Sequence, residues 1–254
     1  MSPAARLPTV TRVRIAIGVG IAAAIVLLFI PAIPQPQEYH RFADGRAWLG
    51  IPNFGDVASN LPFAVAGIAG LVLLLVRRAT WDAVTFLFAA HFASQILIAF
   101  GSGYYHWAPD DAGLFWDRLS LSVVLMTALS IAIADRIGER AGALACVPAV
   151  VVGALSVVCW KASGDLRAWG LVQFYSMAAI ALAAFVPGRF VRNADWLIVV
   201  AWYAAAKACE FLDAPIFAAT GVISGHTLKH LLAGGGAFWL VRIAANRIRT
   251  TRST

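Results

Sequence analysis

Three histidines in two distant segments have the types and spacing of a metal site. His226 and His230 are four residues apart in Ser-Gly-His-Thr-Leu-Lys-His, and His106 ends an apolar run near mid-chain. On a helix, side chains at i and i+4 lie on one face about 6 Å apart along the axis, so this pair can hold one ion. A third imidazole would complete three neutral nitrogen ligands and leave a fourth position open, as in catalytic zinc sites.

An acid and a hydroxyl accompany these histidines. Asp117 begins the next apolar run, and Ser102 precedes His106 by one helical turn on the same face. Because bound zinc lowers the pKa of water to about 7, Asp117 could take a proton from that water and pass it to a leaving group. The Ser102 hydroxyl could steady a developing oxyanion or orient a substrate carbonyl. The sequence therefore predicts catalytic roles for Asp117 and Ser102.

The composition places these residues in a membrane protein. Of the 254 residues, 61% are hydrophobic and 13% are charged, and the mean hydropathy is +0.78. Soluble proteins are about 45–50% apolar and about 25% charged, and a soluble domain of this size has too little interior to hide so many apolar side chains. This excludes an ordinary soluble enzyme, a disordered chain and a nucleic-acid-binding module. We expect an all-α integral membrane protein.

Eight apolar runs are long enough to cross a bilayer, because about 20 helical residues span its hydrocarbon core. The predicted spans are Ile15–Ile33, Val57–Val76, Ala83–Gly103, Leu119–Ala134, Ala141–Trp160, Ala168–Pro187, Trp196–Leu212 and His226–Ala245. Arginines precede the first run, as in a signal peptide. That run is long for a cleaved signal, however, and Pro-Ala-Ile-Pro follows it in place of a cleavage site, so an uncleaved helix is expected.

The charges of the loops predict the orientation of the chain. With eight spans both termini share one side, and 13 lysines and arginines fall on that side against five on the other. Cytoplasmic loops are rich in these residues, so both termini are expected in the cytoplasm. The formal charge of +7 is then explained by insertion and anionic headgroups, without a nucleic-acid partner.

In this orientation, the three histidines and Asp117 all reach the extracytoplasmic edge of the bilayer. An isolated His-x-x-x-His pair is weak evidence, and this convergence strengthens it.

Taken together, these motifs resemble the alkaline ceramidases. The similarity lies in Ser102-x-x-x-His106, Asp117 eleven residues later, and His-x-x-x-His at the start of the final run. Asn-Phe-Gly-Asp-Val-Ala-Ser-Asn-Leu at residues 53–61 is similar to the family's first core span. The family belongs to a superfamily of seven-span membrane hydrolases that also includes progestin/adipoQ receptors. The resemblance covers residues 44–245, or seven of the eight predicted spans.

The resemblance implies a fold, a cofactor and a reaction. The fold is a seven-helix ceramidase-like bundle with one additional N-terminal transmembrane helix. Its parts are residues 1–34 (cytoplasmic tail and additional helix), 35–56 (extracytoplasmic loop), 57–246 (hydrolase bundle) and 247–254 (basic cytoplasmic tail). One catalytic Zn²⁺ on His106, His226 and His230, assisted by Asp117 and Ser102, would cleave the amide of ceramide or a related N-acyl lipid to fatty acid and long-chain base.

One feature of the family is weak in this sequence. Eukaryotic members carry an acidic calcium-binding cluster before the first core span, whereas this chain offers Glu38, Asp44 and Asp56, with Asn53 where the family has an acid. Ca²⁺ binding is therefore doubtful. We expect the segment Pro34–Asp56 to be an interfacial loop, with a lid over the site as the alternative.

Other polar residues are expected to be structural. His91 lies about 22 Å from His106 along a helix and cannot share its metal, so we expect it to hydrogen-bond between helices, with Gln95 nearby. His40 is expected to be solvated. A buried network is expected for Lys207, Glu210 and Asp213, with Lys207 and Glu210 paired at i, i+3.

One alternative remains open for Asp213. Asp213 could instead orient a ligand imidazole.

Two other functional classes remain open on the same scaffold. One is a non-enzymatic membrane receptor or regulator, and the other is a transporter with a proton relay through His and Asp.

The sequence is rich in alanine and arginine and has no organelle signals, which favours a bacterial inner membrane as its location.

Overall fold

A computed structural model describes residues 9–77 and 79–252. The first eight residues of the expected cytoplasmic tail, and residues 78, 253 and 254, lie outside the described residues. The fold is 79% helical. The described ranges contain no strand, only two isolated bridges, one of which pairs Pro34 with Asp165.

A helix overlaps every predicted span. The helices are α1 (Thr9–Leu28), α2 (Phe54–Ala58), α3 (Leu61–Val76), α4 (Ala83–Trp107), α5 (Asp111–Arg136), α6 (Glu139–Ser163), α7 (Arg167–Ala183), α8 (Asn193–Phe211), α9 (Asp213–Thr220) and α10 (Gly225–Arg252). The sequence did not predict the short helices α2 and α9. Helix α10 also runs on to Arg252, so residues 247–252, expected as a tail, continue the last helix.

Short polar side chains fix where the central helices begin. Asp82 accepts a hydrogen bond from the Thr85 N–H at 2.8 Å, and Asp110 accepts one from the Gly113 N–H at 2.6 Å. These carboxylates satisfy N–H groups that have no partner inside α4 and α5. The cap on α5 leaves only a tight turn after Trp107, so α4 and α5 form a hairpin.

The bundle has an apolar outer surface and a partly polar interior. Within the described residues, four helical stretches are long and apolar enough to cross a membrane. They are Phe54–Val76, Ala83–Trp107, Asp111–Arg136 and Glu139–Ser163. Phe100 is 72% exposed, whereas His91 is completely buried and its ring lies 3.0 Å from the Gln95 side-chain nitrogen. The predicted His91–Gln95 contact is confirmed, and the outward apolar face is what a lipid solvent requires.

Neighbouring helices close the bundle on itself. Each of α3 to α8 contacts the next along the chain, and α10 returns to pack against both α8 and α3. Helix α1 packs on the outside against α7. Because α10 lies beside α3, its first turns approach α2, which contacts α4 as well.

One glycine allows α4 and α5 to approach closely. A Cβ atom on Gly101 would lie 2.7 Å from the Trp116 carbonyl oxygen and 2.5 Å from Ser120 Oγ, distances that real Cβ atoms do not show. A side chain at this position would push the helices apart. The close contact brings the next residue of α4, Ser102, against α5.

The connection between α1 and α2 forms an ordered strap, which we define as residues 34–53. It contains a single 3₁₀ turn, Gln37–His40, and three residues near its end, Leu49, Gly50 and Asn53, have positive φ. These left-handed residues turn the strap back into α2. Arg46 pairs with Asp44 at 2.7 Å, and its hydrogen bond lowers the pKa of the Asp44 carboxyl group.

Candidate metal centre

Three buried imidazoles meet at one end of the bundle. His106, His226 and His230, which we call the histidine triad, each offer one nitrogen within 4.8 Å of the other two. The ring centroids are 4.7 Å apart for His106 and His226, 4.8 Å for His106 and His230, and 5.0 Å for His226 and His230. The structure therefore brings together the three residues that the sequence predicted as metal ligands.

The ends of two helices position the triad. His106 lies in the last turn of α4, and His226 and His230 lie in the first turns of α10. The Asp213 carboxylate accepts hydrogen bonds from the His226 backbone N–H at 2.7 Å and from the Ala43 N–H of the strap at 2.9 Å. It therefore fixes the start of α10 through the backbone. Gly225 allows this corner to close, since a Cβ there would lie 2.2 Å from a carbonyl oxygen of α8.

A serine at the junction of α2 and α3 fixes the orientation of the His230 ring. The Ser59 hydroxyl donates to the Asp56 carbonyl oxygen at 3.1 Å and lies 2.9 Å from His230 Nδ1. His230 also interacts with that Asp56 carbonyl. A carbonyl can only accept, and the single hydroxyl hydrogen is already donated, so we assign the ring hydrogen to Nδ1. This assignment leaves Nε2 of His230 free to bind a metal.

A lysine lies against His226. The Lys229 ammonium group donates to His226 Nε2 at 2.7 Å. Glu210 of α8 pairs with Lys229 at 3.2 Å and also with Lys207, which confirms the predicted Lys207–Glu210 contact. Because an ammonium group can only donate, Nε2 of His226 carries a lone pair here. A metal ligand also needs a lone pair on this nitrogen, but here the lone pair accepts the hydrogen bond from Lys229.

His106 has the least satisfied ring of the three. Its Nδ1 atom is buried and has no hydrogen-bond partner among the described residues. Its backbone carbonyl accepts from the Asn53 side chain at 2.9 Å, and the Phe42 ring lies 4.6 Å from the rings of both His106 and His226. The strap thus covers the triad directly.

The donor set fits a transition metal such as Zn²⁺. Imidazole nitrogens suit zinc, copper, iron and nickel, and a buried imidazole without a partner is costly unless something binds it. Two nitrogens on one zinc ion are at most about 4.2 Å apart. The nitrogens of the triad lie within 4.8 Å of one another, which is close to this spacing.

The two predicted catalytic residues lie next to each other beside this end of α4. Ser102 is buried, with 2% of its surface exposed, and its hydroxyl lies close enough to the Asp117 carboxyl group to interact with it. Asp117 is half-buried in the second turn of α5, within electrostatic range of the cations Lys229 and Arg118. The close approach at Gly101 produces this pairing. A carboxylate and a hydroxyl are therefore held together one helical turn from a triad histidine.

Residues of the strap surround the site in ways that the sequence did not predict. The prediction that His40 is solvated is wrong, because its ring lies 2.9 Å from the Tyr105 hydroxyl and 3.1 Å from Asp111. Tyr39 donates to Glu210 at 3.1 Å, and burial, followed by the charge of Glu210, raises its pKa well above the usual value. The strap is bonded to α4, α5 and α8.

Sequence reasoning also missed Ser59, Lys229 and Phe42 as neighbours of the triad. Lys229 carried a signal, since its position three residues after His226 places it on nearly the same helical face. Ser59 lies in the segment that resembles the family's first core span. Phe42 had no signal, because its position depends on the path of the strap.

Comparison with known proteins adds no independent assignment. No protein-family model matches the chain, and no curated protein matches it significantly.

Proposed function

We propose that this chain is a zinc-dependent membrane amidohydrolase that cleaves the amide bond of ceramide or a related N-acyl lipid, releasing a fatty acid and a long-chain base. One observation carries the proposal: a buried group of three histidines lies one helical turn from Ser102, whose hydroxyl interacts with the carboxyl group of Asp117. The resemblance of these residues to the alkaline ceramidases supports the same reaction.

The proposed chemistry assigns a task to each side chain. His106, His226 and His230 would hold Zn²⁺, which would supply a Lewis acid and would activate water at neutral pH. Asp117 accepts the proton of the attacking water and later donates it to the nitrogen of the leaving amine. The Ser102 hydroxyl holds Asp117 in place, and by rotating it donates to the amide carbonyl oxygen, where negative charge develops.

The position of the triad suits a lipid substrate. His106 and His226 lie at helix ends, and Trp107 and Trp116 at this end are 49% and 53% exposed. Exposed tryptophans are typical of the membrane–water interface. An N-acyl lipid carries its amide bond at this depth, with its chains in the hydrocarbon. Water would reach the site from the aqueous side and the substrate from the bilayer.

The same proposal includes the architecture inferred from sequence. Helices α3 to α8 together with α10 would form the seven-helix bundle of residues 57–246, and α1, which packs against α7, would be the additional N-terminal span. The excess of arginine at the other end of the bundle favours termini in the cytoplasm and the triad at the extracytoplasmic edge of a bacterial inner membrane.

Metal content and turnover test the proposal together. Protein purified in detergent should hold about one zinc per chain and release fatty acid from a labelled ceramide or another N-acyl lipid. His226→Ala should lose both, whereas Asp117→Asn should keep the metal and lose most turnover. His91→Gln is the matched control, since His91 is buried away from the triad, and it should change neither.

The rival functions predict different results. A proton-coupled transporter would need no stoichiometric zinc. A receptor on this scaffold would bind zinc but release no fatty acid from any N-acyl lipid. Normal turnover by Asp117→Asn would show that the proposed proton transfer is wrong.

A further inference from the structure

A second polar feature lies at the far end of α10, away from the triad. Two adjoining cavities of about 400 and 730 Å³ share Arg192 of the α7–α8 connection and Thr250 of α10 in their walls. From His226 to Arg249, α10 rises about 35 Å, so these cavities belong to the opposite surface of the bundle. Nothing in the proposed hydrolysis uses them.

Arginines dominate the walls of these cavities. Five arginines from two separate segments line them, against two carboxylates, which gives a formal excess of three positive charges. We call the surface that they form the basic groove. Its arginines are Arg189, Arg192, Arg242, Arg247 and Arg249.

Contacts with the protein hold two of these guanidinium groups, those of Arg192 and Arg242, in place. Arg192 binds both oxygens of Asp195, at 2.8 and 3.0 Å. Arg242 stacks on the Trp239 ring, with its central carbon 4.1 Å from the ring centroid. Each guanidinium has five N–H donors, and a stacking contact uses none of them. Arg242 can therefore present a planar set of donors to the cavity.

The chemistry of the groove suits a phosphate. The guanidinium fork matches phosphate oxygens in two parallel hydrogen bonds. Helix α8, 19 residues long, begins at Asn193 beside the cavity, and the positive end of its dipole favours an anion there. The arginines and the helix end thus attract the same kind of ligand.

The surroundings favour a phosphate that is attached to a lipid. Phe185, just before the groove, is 74% exposed, and Leu197, on the first turns of α8, is 41% exposed. These apolar side chains lie next to a basic surface at the end of the bundle, where headgroups meet hydrocarbon. A soluble anion would use only the arginines, whereas a phospholipid would use both parts of this surface.

We propose that the basic groove binds the phosphate headgroup of an anionic phospholipid, with its acyl chains against the outer faces of α7 and α8. Arg242 and Arg249 bind the phosphate oxygens from α10, and Arg192 does so from the start of α8. The site is separate from the triad, so it stands or falls independently of the proposed hydrolysis.

The experiment measures lipid binding by the full chain in detergent. Phosphatidylglycerol should raise the unfolding midpoint by several degrees and remain bound in native mass spectrometry, whereas phosphatidylcholine should do neither. Arg242→Gln should weaken phosphatidylglycerol binding about tenfold, the usual cost of losing one hydrogen bond to a charged group. Arg249→Gln, at an exposed position that cannot affect the core, should give a similar loss.

A matched control distinguishes a built site from diffuse charge. Arg140 is exposed at the same end of the bundle but does not line either cavity. Arg140→Gln should leave phosphatidylglycerol binding unchanged. Equal weakening by Arg140→Gln and Arg242→Gln would overturn the proposal, and inorganic phosphate stabilising the protein as well as phosphatidylglycerol would overturn the assignment to a lipid.

Discussion

Removing the Ser59 hydroxyl should weaken metal binding without touching a ligand. Ser59 Oγ lies 2.9 Å from His230 Nδ1 and is itself tied to the Asp56 carbonyl. The hydroxyl therefore fixes both the orientation of the imidazole and the nitrogen that carries its hydrogen. In Ser59→Ala, His230 itself is unchanged, but its ring loses this hydrogen-bond partner.

The structure sets the size of the effect. A buried N–H group left without an acceptor costs about 1–3 kcal/mol, and partners of this kind usually change metal affinity about 10- to 100-fold. His230 keeps its interaction with the Asp56 carbonyl, so part of the loss is recovered. We therefore expect the lower end of the range, about tenfold weaker zinc binding, which corresponds to about 1.4 kcal/mol.

Competition with a chromogenic chelator measures the zinc dissociation constant of the purified protein. Ser130→Ala is the matched control, because Ser130 is also completely buried and its hydroxyl donates only within its own helix, to Met126 at 2.8 Å. The control should bind zinc like the wild type. If Ser59→Ala binds zinc with unchanged affinity, or if both variants weaken equally, the assigned role of Ser59 is refuted.

Three further outcomes follow from particular contacts. Lys229→Met should tighten zinc binding about tenfold in the same competition assay, because it removes a charged donor from the His226 lone pair; weaker binding would contradict this. Gly101→Ala should destabilise the protein by about 1–3 kcal/mol in denaturant unfolding, whereas Gly103→Ala, whose Cβ would have no described neighbour within 4 Å, should not. The lowered pKa of Asp44 adds stability that is present above the ordinary aspartate pKa of about 3.9 and is lost as the pH falls through the lowered value. The thermal stability of Asp44→Asn should therefore fall less on acidification than that of the wild type. If the variant and the wild type lose the same stability as the pH falls, this ion pair contributes nothing.

The sequence predicted the helices and the triad because both follow from simple physics. Apolar runs of about 20 residues specify helices in a lipid solvent, and a helix connected by a short turn must return to the same edge. Those two rules placed His106, His226 and His230 near one another without any knowledge of packing. The short turn between α4 and α5 likewise placed Ser102 and Asp117 at this edge.

The strap could not be predicted in the same way. It has no periodic pattern, and its path depends on bonds to residues far away in sequence, such as Tyr39 to Glu210 and Ala43 to Asp213. This is why His40 was expected in water and Phe42 had no assigned position. Lateral contacts between helices, such as Ser59 with His230, were also missed, because periodicity gives the face of a helix but not its neighbour.

Phe42 has a kinetic consequence for exchange of the bound ion. Its ring lies over His106 and His226, and the strap that carries it is bonded to three helices. We therefore expect that an ion held by the triad would leave only after this cover opens. The rate at which excess chelator removes the metal from the metal-bound protein should therefore reach a maximum and stop rising with chelator concentration. In Phe42→Ala, this rate should keep rising with chelator concentration.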